Sequence, residues 1–182
     1  AYNAVCEFLG ANWYAVAGTL ALAFLVCVHF VYAFILTLQN RKARGTDRYA
    51  VTARPDKVEW ASQNMFVLGL IVVLGLVLHL YNFWYNMQFA EIIGNHELGP
   101  FPPADGAAYI AALFSSPVYC IIYLVWFAAI WFHLTHGFWS AFHTIGWDNQ
   151  TWLPRLKRIA NVVATIVFLC FALVVIVFYL RS

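Results

Sequence analysis

Four long apolar runs without a single Asp, Glu, Lys or Arg, at residues 16–38, 65–85, 118–142 and 159–180, leave this chain very few ways to fold. Each is near or above the roughly twenty residues that a bilayer's hydrocarbon core demands of a helix. Backbone groups in hydrocarbon must satisfy one another, so only helices and closed barrels span it. The ten-residue in/out alternation of barrel strands is absent. The expected fold class is therefore all-α, a transmembrane helical bundle with four spans, forming one integral-membrane domain over residues 1–182. Composition points the same way: 64% of residues are hydrophobic and 10% charged, where a soluble domain is about half apolar and a quarter charged. The bilayer is thus the expected partner, and no nucleic acid is.

Basic residues give the orientation, because they concentrate on the cytoplasmic side. Arg41, Lys42, Arg44, Arg48, Arg54 and Lys57 lie between the first and second runs, and Arg155, Lys157 and Arg158 between the third and fourth. Arg181 alone falls on the other side. The segment between the second and third runs has Glu91, Glu97 and Asp105 and no Lys or Arg. The first run is therefore expected to enter from outside. Pro100, Pro102, Pro103 and Gly106 mark irregular structure in the outer segment, and Ser115 and Ser116 before Pro117 suit a helix start.

Within the spans the informative residues are histidines. At about 1.5 Å per helical residue, counting outward from inner ends near Asn40 and His143, His29 and His133 both lie roughly 15 Å deep. His79 lies only about 9 Å from an outer end taken at Tyr85, so it belongs to a second, outer level. Two imidazoles at one depth on two helices are what axial ligation of a haem between helices requires. A lone intramembrane histidine also arises as a simple hydrogen-bonding partner of a neighbouring helix. Three on three helices favour function, since ionisable groups in membrane segments are costly. His136, one turn inward of His133, shares its helix face and rivals it as a ligand; depth favours His133. His143 reads as interfacial and His96 as a solvated loop residue.

Cys6, Cys27, Cys120 and Cys170 are scattered, with no C-x-x-C-H for covalent haem attachment and no paired spacing for zinc or an iron-sulfur cluster. Any haem is then held as haem b, and the buried thiols read as packing residues. Trp84, Trp126, Trp131 and Trp139 suit interfacial belts and lipid-facing surface.

Three stretches carry a resemblance: residues 29–50 (HFVYAFILTLQNRKARGTDRYA), 79–87 (HLYNFWYNM) and above all 133–146 (HLTHGFWSAFHTIG). Together they resemble the di-haem cytochrome b membrane-anchor subunit of succinate:quinone oxidoreductases and quinol:fumarate reductases, of the Bacteroidetes type, over nearly the whole chain. That family has five membrane helices and four haem-ligating histidines. The four runs here are similar to its second to fifth helices. The resemblance implies that His29 and His133 hold the iron of a proximal haem on the cytoplasmic side. His79 would hold the iron of a distal haem, opposite a histidine from a first helix expected upstream of Ala1. Some relatives carry a membrane-embedded Glu two positions before the third run's ligand; here that position is Trp131, which does not support such a proton path.

The function implied is electron transfer between quinone and dicarboxylate chemistry carried out on other subunits. The chain would serve as the quinone-reactive subunit of an oxidoreductase complex in the bacterial inner membrane. Menaquinone/menaquinol is the implied carrier and fumarate reduction the implied direction. An iron-sulfur subunit and a flavoprotein subunit would dock on the basic cytoplasmic face. Quinone chemistry couples electrons to protons and needs an exchanging group near water; Glu7, ahead of the first run, and Asn82 and Trp84, beyond His79, are the quinone-site candidates. Two other readings stay open: a cytochrome b of another redox complex, such as a hydrogenase or formate dehydrogenase, and a haem-free transporter. Against the latter, the runs hold no acidic residue and no Pro-broken half-helix.

Overall fold

The computed structural model describes residues 2–10, 12–45, 59–147 and 149–182. Arg48, Arg54 and Lys57 of the first basic cluster lie outside the described residues. Among those described, the protein is helical, with no strand. In chain order the helices are α1 (Tyr2–Gly10), α2 (Trp13–Arg44), α3 (Trp60–Gln63), α4 (Met65–His79), a π-helix (Leu80–Phe89), α5 (Ala90–Ile93), α6 (Gly106–Phe114), α7 (Pro117–Thr144) and α8 (Trp152–Arg181). Four segments are long and apolar enough to cross a membrane: Trp13–Arg44, Met65–Ile93, Pro117–Thr144 and Trp152–Arg181. The protein is a multi-pass membrane bundle.

Local chemistry sets several of the ends. Asn12 caps α2 by accepting a hydrogen bond from the Tyr14 backbone N–H at 2.9 Å, and Arg41, Lys42 and Arg44 occupy its last turn, where cations complement the helix dipole. α7 begins with Pro117 in its first turn behind Ser116, as the sequence led us to expect; proline loses nothing there because that N–H has no helical partner.

The second span corrects an expectation. It does not end at Tyr85 but runs on through the π-helix and α5 to Ile93. Asn86 helps hold the wide turns, its side-chain amide donating to the carbonyls of Tyr81 at 2.9 Å and Asn82 at 3.1 Å. The outer segment, expected to be irregular, also contains α6. Asp105 caps α6 by accepting from Ala108 N–H at 3.1 Å. Asn3 ties α1 to the same corner, donating to Asp105 at 2.8 Å and accepting from Ala107 N–H at 3.0 Å. We call this the capped end and the opposite one the basic end.

In lipid, apolar side chains gain little by leaving one hydrocarbon for another, so close packing and hydrogen bonds hold the helices together. α7 and α8 approach closely along the small residues Ala160, Ala164 and Ala172, all buried. α4 meets α7 at Gly75, where the Trp126 indole lies in the space a Cβ would occupy. Trp126 Nε1 then donates to the Val72 carbonyl at 3.0 Å. The main core gathers Phe114, Cys120, Tyr123, Trp126, Phe127 and Val175. α2 is different, for none of its residues is buried.

We expect Gly75→Ala to lower stability in detergent by about 1–3 kcal/mol, the cost of overpacking a filled site. Gly18→Ala on α2, with nothing within 4 Å of its added methyl, should be neutral or slightly stabilising. Thermal unfolding of both variants checks this. Equal effects would mean that the α4–α7 approach does not depend on Gly75.

Candidate functional site

α2 touches the rest of the bundle near its ends. Toward the capped end, Thr19 donates to Gln88 Oε1 at 2.9 Å, and Trp84 Nε1 donates to the same oxygen at 2.8 Å. Toward the basic end, Phe34 meets Phe66 with ring centroids 6.4 Å apart, and the Arg41 guanidinium lies 5.5 Å from the same Phe66 ring. Between these ties His29 reaches across to α7, its ring centroid 6.2 Å from that of His133 and the planes at 77°.

That separation is shared by ordinary ring contacts such as that of Phe34 with Phe66 at 6.4 Å. It would also leave room for one metal ion between the two imidazoles, at metal–nitrogen bonds of about 2.0–2.1 Å. His133 Nδ1 is buried with no hydrogen-bond partner, a state that costs free energy unless something bonds to it. The His133 ring is flanked by two glycines: a methyl on Gly69 would lie 3.6 Å from its Cε1, and one on Gly137 3.9 Å from its Cδ2. No group of three or more His, Cys, Asp or Glu side chains that could hold a metal ion occurs among the described residues. A haem would ask the protein for only one or two side chains, and His29 and His133 are the residues that would hold one.

His79 stands at a second level. Gly69 marks the depth of His133 on α4, and His79 is ten residues further along, about 15 Å nearer the capped end. With the span ending at Ile93, His79 lies at its middle, about 21 Å from that end rather than about 9 Å, so what sets it on a second level is its separation from His133. Its ring is surrounded by Phe83 at 5.0 Å, Trp126 at 5.5 Å and Tyr123 at 6.3 Å. Its Nδ1 is also buried without a partner. Its surroundings are aromatic and dry, and the π-helix begins at the next residue; wide turns of this kind cluster at functional sites.

The three quinone-site candidates have separate neighbours. Glu7 lines an open groove of about 590 Å³ with Ala4, Phe8, Asn12, Trp13 and Tyr14. Asn82 turns toward α7 and donates to the Tyr123 hydroxyl at 3.1 Å, and Trp84 is engaged with Gln88. Neither Asn82 nor Trp84 lines the groove. Trp131 donates to Thr165 on α8 at 3.0 Å, so it ties helices together. His96 is exposed, 3.7 Å from Glu91.

Sequence reading missed Glu59. His136 Nδ1 lies 3.0 Å from Glu59 Oε2, and Lys157 Nζ donates to Glu59 Oε1 at 3.0 Å. Lys157 also lies 4.0 Å from the centre of the Trp139 ring. Burial pushes the Glu59 carboxyl upward, but the hydrogen bonds from His136 and Lys157 outweigh it and hold the group below its ordinary value. Of the two histidines that rival each other on α7, His136 has a carboxylate partner and His133 does not.

No family model, no curated protein and no solved structure matches the chain.

A carboxyl with a depressed folded-state pKa contributes stability that is present above its unfolded value and lost as pH falls through the folded one. Wild-type protein should therefore lose its thermal advantage over Glu59→Gln between pH 7 and pH values below about 4, the ordinary carboxylate range. The side chains of Glu59 and Lys157 are each 39% exposed, so solvent limits the difference to about 1 kcal/mol or less. Melting curves at the two pH values decide it, and parallel curves would mean that Glu59 stabilises nothing.

Proposed function

We propose that this chain is a membrane cytochrome b in which His29 and His133 ligate one b haem and His79 ligates another. Its role is that of the quinone-reactive anchor of a succinate:quinone or quinol:fumarate oxidoreductase in a bacterial inner membrane. The observation that carries the reading is the His29–His133 pair, two imidazoles from α2 and α7 with ring centroids 6.2 Å apart, with a buried unpartnered nitrogen on His133. The resemblance of residues 29–50, 79–87 and 133–146 to the di-haem anchors supports the choice of complex.

Bound haem supplies one-electron transfer, with its potential set by axial ligands, burial and nearby charge. The protein's own residues do the rest. α7 is clamped between α4 and α8 and fixes His133, while the end contacts of α2 aim His29 at it. Phe83, Tyr123 and Trp126 keep water from His79. At the capped end Glu7 lies in an open surface groove, where it would exchange protons with menaquinol as electrons leave it. Arg41, Lys42, Arg44, Arg155 and Arg158 make the basic end the docking face for the iron-sulfur and flavoprotein subunits, which interconvert fumarate and succinate.

A reduced-minus-oxidised visible spectrum of the purified protein should show a bis-imidazole b haem. His29→Ala and His133→Ala should each abolish the same haem, and His136→Ala should retain it. Retention in His133→Ala with loss in His136→Ala would assign the ligand to the other histidine, and a wild-type protein without a haem spectrum would end the cytochrome reading. Co-purification with iron-sulfur and flavin-containing chains separates this complex from other quinone-linked ones.

The basic end should face the cytoplasm. Cysteine labels at Gly45 and Gln150 are expected to react only from the cytoplasmic side, and one at Asn95 only from outside. The reverse pattern would place the soluble subunits at the capped end.

A further inference from the structure

We propose that Glu59 and Lys157 are a charge pair that sets the reduction potential of the haem held by His29 and His133. The inference rests on the cytochrome reading above and adds to it a function for residues outside the ligand set. Glu59 precedes α3, Lys157 lies on α8, and both reach α7 at His136 and Trp139. His136 is three residues from His133, one helical turn or about 4.5 Å along the axis. Glu59 bonds directly to it at 3.0 Å. Glu59 therefore stands about one turn inward of His133, and Lys157, against Trp139, up to about two turns inward.

The surroundings of the pair let charge act over that distance. The His136 side chain is only 15% exposed, while those of Glu59 and Lys157 are each 39% exposed and partly screened by solvent. Trp139 packs on the cluster, its ring 4.9 Å from that of His136 and 4.0 Å from the Lys157 ammonium. Aromatic and lipid surroundings lower the effective dielectric below that of water, and a net charge then acts over a longer range. In the intact pair the Glu59 carboxylate and the Lys157 ammonium cancel at a distance. Losing one partner exposes the field of the other. A net positive charge near the iron favours the form with the extra electron and raises the potential, and a net negative charge lowers it.

The sign makes the idea testable apart from simple disruption. Glu59→Gln should raise the midpoint potential of this haem and Lys157→Met should lower it. Each change should correspond to about a three- to tenfold change in the reduction equilibrium, an effect reduced by partial solvent screening. Glu59→Gln combined with Lys157→Met should return close to wild type, and Lys157→Arg should stay there. The readout is optical redox titration of the full chain, with haem content and band position checked in every variant. Opposite shifts that cancel in the double variant are the expected result. Shifts of one sign, or no shift with the haem intact, overturn the tuning role. So does loss of the haem from both single variants, which would make the cluster a clamp of the fold. A wild-type protein with no haem spectrum removes the cytochrome reading itself and this inference with it, a result unlike intact spectra with unmoved potentials.

Discussion

The position of α2 is the constraint on which the rest of the site depends. A helix in lipid gains no hydrophobic free energy by leaving hydrocarbon for a protein neighbour, and α2 has no buried residue to gain packing energy instead. Its rotation and height are set by Thr19 on Gln88, Phe34 and Arg41 on Phe66, and His29 on His133. Three of these are modest polar or ring contacts of the kind worth a kcal/mol or less. A group bonded to both imidazoles would join α2 to α7 far more firmly than they do. It would also complete a bundle that protein packing alone leaves loose on one side.

The other half of the site is rigid by contrast. α7 lies between α4 and α8, with alanines on one side and Gly75 on the other letting backbones approach. This is the small-residue logic of membrane interfaces. Because Trp126 fills the space at Gly75 and also packs on His79, the same contact that locks α4 to α7 fixes the height of the outer histidine. The two levels are thus spaced by the protein scaffold, and each presents a buried ring nitrogen that no side chain satisfies.

Much of this was legible in the sequence because lipid imposes a single crude rule, written in the lengths of uncharged runs. Four runs gave four spans, and Ser116–Pro117 marked the start of α7 within a residue. The π-helix and α6 were not legible. The first continues the helix without a break, marked only by a shift to aromatic and amide residues from Leu80 to Phe89, where Asn86 supplies the extra donor to carbonyls. The second hides in a segment whose prolines dominate the reading. Histidine depth could be counted from helical rise, although the end chosen at Tyr85 was too early. Glu59 could not be found, since it lies 77 residues from His136 and 98 from Lys157. In a stretch read for its basic residues, one acid carried no signal.

Glu59 also bears on the comparison of His133 with His136, which in the sequence rested on depth alone. In the structure the two differ in their partners, as polar side chains in a membrane protein seek hydrogen bonds. His136 is satisfied by a carboxylate that is itself held by Lys157. That bond uses only Nδ1. A carboxylate on the other ring nitrogen is also what a metal-ligating imidazole commonly has, so the Glu59 contact does not by itself remove His136 as a candidate. His133 breaks nothing by accepting a metal, since Gly69 and Gly137 offer its ring no hydrogen bond. What distinguishes the two histidines is a partner that lies on neither α2 nor α7.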